Sequence, residues 1–116
     1  MIFKPELVEK ILEGSKTETR RVMKPGETEC RYEPARDYAL QPGRGRRAVG
    51  RIAIIEVRRE RLGEITHEGA LREGFPTVRA FLDYWRRLHG GVDPEQEVWV
   101  IRFELVEGDP AGRGVQ

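Results

Sequence analysis

The chain has 116 residues, of which 38% are apolar and 35% charged, with a net charge of +1. That is one domain's worth of a folded chain; it excludes a two-domain protein and a disordered one. The single cysteine, Cys30, excludes a disulfide framework or an all-cysteine metal site, and apolar runs no longer than Ile52–Ile55 exclude a membrane-spanning helix.

From the N-terminus, Ile2 and Phe3 can open a short strand. Lys4, Glu6, Glu9 and Lys10 interrupt any secretory signal core, so the expected location is a reducing cytoplasm. Pro5 to Gly14 reads as a helix. Pro5 suits the first turn, Leu7, Val8, Ile11 and Leu12 make one apolar stripe, and Gly14 is a natural stop. Ser15–Arg21 follows as a polar loop or strand. If it is extended, Lys16, Glu18 and Arg20 share one side and Thr17, Thr19 and Arg21 the other. Residues 24–47 are broken by proline and glycine and hold at most short strands, around Tyr32 and around Tyr38–Leu40.

Val49–Arg59 is β-branched and predicts the main strand. A short helix is expected near His67–Arg72, ended by Gly74. Pro76–His89 is the clearest helix, with Val78, Phe81, Leu82, Trp85 and Leu88 on one face. Val98–Leu105 alternates, with Trp99, Ile101, Phe103 and Leu105 on the apolar side. Both apolar faces are expected in a single core. The order implies an α+β fold with five or six short strands, as a partly closed barrel with two or three helices at its openings. Residues 1–106 make the domain and 107–116 a flexible tail.

Charge is uneven along the chain. Residues 1–60 hold 14 Lys/Arg against 10 Asp/Glu, or +4, and residues 61–116 hold 7 against 10, or −3. Arginine outnumbers lysine 17 to 4, and its planar fork grips phosphate and stacks on bases. Two polar clusters stand out: Gly14–Arg21, and Pro42–Arg47 with Arg44, Arg46 and Arg47 beside Gly43 and Gly45. From composition alone the first reads foremost as a solvated connector and the second as an exposed hairpin tip. Glu73, at a helix end before Gly74, can face a pocket or solvent. His67 and His89 lack partners at metal-ligand spacing, so no metal is expected.

The segment Ile11–Arg21, with Gly14, Lys16 and Arg21 in a Gly-x-Lys…Arg pattern, resembles the opening signature of the ASCH domain family. Tyr38–Arg44 with Val49–Ile52, and Glu73–Phe75 with the following helix and Val98–Phe103, resemble its middle and end. The resemblance spans about residues 2–106. It implies a small PUA-like barrel, a fold associated with RNA, with a cleft lined by the first motif. Gly14, Thr17, Arg20 and Arg21 of that motif are the candidate ligand contacts, and the charge of Arg44, Arg46 and Arg47 extends the path for phosphate.

Some small bacterial members deacetylate N4-acetylcytidine with a Lys, a Thr three residues later and a Glu. Here those positions fall on Lys16, Thr19 and Glu73. The longer segment 22–48 and Arg20 depart from those enzymes. Two functions follow: binding of RNA or a nucleotide or nucleoside, and hydrolysis of an acylated nucleoside amide. Thr19 or water is the nucleophile in the second, with Lys16 as base or oxyanion donor and Glu73 on the amine or the water. Neither function requires a metal or organic cofactor. A protein-interaction role has only the charged surface in its favour.

Overall fold

The computed structural model describes residues 1–108. Pro5 and a left-handed Gly14 (φ 88°) bracket helix α1, Pro5–Glu13, whose Leu7, Val8 and Ile11 are buried. The chain then enters strand β1, Glu18–Val22, and strand β2, Asp37–Leu40. The long β3, Gly50–Arg61, runs through a 3-10 turn at Leu62–Glu64 into α2, His67–Glu73. Helix α3, Val78–His89, and strand β4, Glu97–Gly108, complete the described fold. Thr66 and Thr77 cap α2 and α3 through their hydroxyls, satisfying amides that helix starts leave orphaned.

The strands form one antiparallel sheet in the order β1-β4-β3-β2. A single bridge, Ile2 to Gln41, adds the N-terminal segment beyond β2. Ile55 and Val106 have no opposite number in the β3–β4 register, and both are exposed. Such one-residue bulges bend a sheet. The sheet stays open between β1 and the Ile2 segment, where the Arg21 guanidinium donates to the Ile2 carbonyl at 2.8 Å. The expected α+β class and partial closure hold. Among the described residues there are four strands and one bridge rather than five or six strands, and Tyr32 lies outside any strand, packed edge-on against Tyr38.

One core was expected; the described residues form two, on opposite sides of β4. Trp99, Ile101 and Phe103 join Phe3, Ile11, Leu40 and Ile52, while Val98 and Val100 join Phe81, Trp85, Leu62 and Ala70. The interior position of β4 and a helix layer on its second face explain why Val98 to Ile101 are all buried, so that alternation shows only one of two apolar faces. Leu105 and Leu88 are half-exposed, since both lie near the ends of their elements. The segment between β1 and β2 is tied to the sheet: the Trp99 indole donates to Glu27 at 2.7 Å, and Arg59 donates to the Thr28 carbonyl at 2.9 Å. β4 continues to Gly108, opposite Gly50. The remainder of the expected tail, 109–116, lies outside the described residues.

Candidate functional site

The open seam of the sheet is a cleft of about 610 Å³. Four consecutive residues of β1, Thr19 to Val22, line it. Neighbouring residues on a strand point to opposite faces, so the cleft runs along the free edge of β1 rather than over a face. The N-terminal Ile2–Pro5 segment forms one wall and Phe81, Tyr84 and Trp85 of α3 the other. Pro42, Gly43 and Arg44 sit at the rim and Glu73 at the floor. A larger depression of about 780 Å³ crosses Ala35–Tyr38 and Ala53–Ile55. It holds no buried charge, so the β1 cleft is the candidate site.

The floor is assembled by helix ends. Glu73 is the last residue of α2, and Gly74 leaves the helix at φ 96°, where a Cβ would meet Lys10 and Lys16. Lys10 donates to the Gly74 carbonyl at 2.7 Å, and the Thr17 amide to the Arg72 carbonyl at 2.8 Å. The Lys16 ammonium, fully buried, reaches three acceptors: Glu73 Oε1 at 2.6 Å, Glu73 O at 3.1 Å and Glu18 O at 2.8 Å. Two lysines thus meet the negative end of α2. Burial pushes the Lys16 ammonium below the ordinary lysine range; Glu73 opposes the fall, and Arg21 and Arg20 add to it.

Behind this pair lies a cage of charge. Arg20 donates Nε to Glu60 at 2.8 Å and Nη1 to Glu18 at 3.1 Å and Glu73 at 3.3 Å. Glu18, fully buried, also takes Arg58 at 3.2 Å and Arg72 at 3.4 Å. Burial pushes the Glu18 carboxyl up, but Arg20, the Arg58 hydrogen bond and Arg72 outweigh it and hold the group below its ordinary value. Gly69 belongs to the cage by omission: a Cβ there would lie 3.0 Å from Arg20 Nη2.

Lys16 and Glu73 therefore meet, and Thr19, Arg20, Arg21 and Arg44 share the cleft with Glu73. Lys16 sits beneath Glu73, outside the lining. Arg20 is engaged by three carboxylates. Arg21 lies 4.9 Å over the Phe3 ring, and burial lowers its pKa. Gly14 caps α1, Thr17 joins α2 to β4, and Arg46 and Arg47 are exposed beyond the lining. Cys30 is half-buried, and burial pushes its thiol up. Sequence reasoning missed Glu18, Glu60, Arg58 and Arg72 as neighbours of the site. The shared side of Lys16, Glu18 and Arg20 was the available signal for Glu18; nothing local marks Glu60, which is brought in by β3.

An open, curled antiparallel sheet with three helices and a cleft at its seam defines a small α+β domain of the PUA-like type. The chain belongs to the ASCH domain family, whose model matches residues 1–107. No curated protein matches it. Among solved structures, it is similar to a protein from Enterococcus faecalis V583 at 15% identity and TM-score 0.69, covering 90% of this chain and 72% of that one. The ASCH domain from Lactobacillus crispatus JV V101 is similar at 15% identity and TM-score 0.68, covering 88% and 71%. ASCH from Zymomonas mobilis is similar at 15% identity and TM-score 0.56, covering 94% and 71%. These likenesses establish the fold. No helix among the described residues is long and apolar enough to cross a membrane.

Proposed function

We propose that the cleft binds a nucleoside, free or as an unpaired nucleotide of RNA. One observation carries this reading: a cleft of about 610 Å³, within the size range of small-molecule sites, places a carboxylate at its floor, aromatic side chains on its walls and arginines at its rim. Aromatic walls suit a base, Glu73 suits an amino group on it, and Arg21 and Arg44 suit a phosphate. Arg46 and Arg47 extend the path for flanking phosphates. Binding of single-stranded RNA across a salt series tests the reading. Each phosphate contact contributes a log–log slope of about −0.7, so R44A should flatten the slope by about that amount. No binding at low salt, or binding indifferent to salt, overturns it for RNA.

A second reading is favoured by the 2.6 Å Lys16–Glu73 pair beside Thr19: hydrolysis of the exocyclic amide of an N4-acylated cytidine. The three acceptors around Lys16 Nζ match the three protons of an ammonium. Lys16 then positions Glu73 together with Arg20, and Glu73 is the group that moves a proton. It takes one from water as the water oxygen bonds to the acyl carbon. It returns that proton to the departing amine as the C–N bond breaks. Thr19 donates from the β1 side to the acyl oxygen. Acetate release from N4-acetylcytidine tests this reading. Wild type is expected to turn over and E73Q to lose turnover, and absence of acetate release by wild type removes the substrate while leaving the binding reading intact.

A further inference from the structure

The backbone of β1 alternates in what it offers the cleft. In the β1–β4 ladder the Phe103 amide donates to Thr17 O at 3.0 Å and the Met23 amide to Glu97 O at 3.1 Å. Register then assigns the odd residues, Thr17, Thr19, Arg21 and Met23, to bonding with β4. The even residues turn their N–H and C=O groups the other way, toward the seam. Glu18 confirms the direction: its carbonyl faces away from β4 and accepts from Lys16. Arg20 and Val22 come next along the cleft-lining stretch.

From this we infer that the main chain of β1 reads the ligand's base, with Arg20 C=O accepting from its exocyclic amine and Val22 N–H donating to the adjacent ring nitrogen. The inference rests on the nucleoside-binding reading above and names the part of the base that is recognised. A strand edge presents C=O of one residue and N–H of the next but one side by side on the same side, which complements an adjacent donor and acceptor on a base edge. Polarity along β1 sets the orientation. Arg20 is nearer the Lys16–Glu73 end, its Nη1 lying 3.3 Å from Glu73 Oε2, so the amine points toward the carboxylate and the ring nitrogen away. The length of the free edge selects against a peptide. Lys16 consumes the Glu18 carbonyl, leaving outward pairs only at Arg20 and Val22 before β1 ends. A base edge needs two groups, whereas an added strand needs a longer run.

The test is amide hydrogen exchange on the full chain with cytidine as probe. Cytidine should slow exchange at Val22 about tenfold or more, while Arg20 N–H, which this pairing leaves unused, stays unchanged. 3-Methylcytidine, whose ring nitrogen is blocked, should bind at least about tenfold more weakly, the usual scale for one lost hydrogen bond in a buried site. V22P removes the outward N–H without touching the β4 ladder and should bind cytidine about tenfold more weakly than V22A, which keeps that N–H. If V22P does not fold, exchange on the wild type decides. Cytidine that perturbs Glu73 and Thr19 but leaves Val22 exchange and 3-methylcytidine affinity unaltered overturns the inference and spares the nucleoside reading. Cytidine that perturbs nothing in the cleft overturns both. Joint protection of Arg20 and Val22 by an extended peptide, with none by cytidine, overturns both in favour of strand addition.

Discussion

Replacing Lys16 by Met isolates the pair at the cleft floor. The methionine fills the lysine stem's volume but removes a charge whose side chain is fully buried, against a Glu73 side chain only 4% exposed. Breaking a buried ion pair from one side costs about 3–5 kcal/mol, because the surviving charge is left without compensation. Here Arg20 still reaches Glu73 at 3.3 Å, which softens the loss, while the carbonyls of Glu18 and Glu73 lose a donor, which deepens it. A cost of about 3–4 kcal/mol is expected, and for a chain of this length that lowers Tm by roughly 12–16 °C. The assay is urea unfolding of wild type, K16M, E73Q and the double variant, compared at a common m-value. The double variant should cost less than the sum of the singles by about 2 kcal/mol, since each single strands a partner that the double does not. A K16M variant within about 1 kcal/mol of wild type would refute the description of the floor as a coupled, desolvated pair.

Three further outcomes follow from the same geometry. F81A should cost about 3–5 kcal/mol in urea melts, because the ring is buried between β4 and Trp85; a cost under about 1 kcal/mol would mean the second core is not formed. Glu18 titrates below its ordinary 4.5 in the fold, so its stabilisation is present above pH 4.5 and disappears as pH falls through the folded value. The stability gap between wild type and E18Q should therefore be flat from neutral pH to about 4.5 and shrink below it; a gap that widens in acid contradicts the arginine cage. G69A forces a methyl against Arg20 Nη2 and should destabilise by about 1–3 kcal/mol in urea melts; an unchanged Tm would show that Arg20 has room to move.

Much of the fold was legible because its signals are local. Pro5 and Gly14 bracket α1, and Pro76 with the Phe81/Trp85 spacing marks α3, to within a residue or two. β2 appeared where Tyr38–Leu40 was expected. The second core was hidden because Val98 and Val100 occupy positions that alternation assigns to solvent. The meeting of Lys16 and Glu73 was accessible only through the family resemblance, since 57 residues separate them. Arg20 and Arg21 are equal candidates for ligand contact in the sequence, yet three carboxylates from three elements surround Arg20 and one carbonyl holds Arg21. No single segment encodes that difference. It arises from which strand lies next to β1.

The seam between β1 and the Ile2 segment is crossed by one arginine side chain instead of a hydrogen-bonded ladder. An unpaired strand edge ordinarily invites association with another chain. Here the invitation is withdrawn by burial: α3 and the N-terminal segment stand on either side, and the edge is reachable only from within the cleft. Among the described residues, β1 thus keeps outward-facing backbone groups that closure of the sheet would have consumed, flanked by α3 and the N-terminal segment. Both margins are held from behind, the N-terminal segment by its backbone bonds to Gln41 and β1 by its ladder with β4, so exchanging Arg21 for a shorter side chain would clear the space it spans and leave the margins and the cores on either side of β4 as they are.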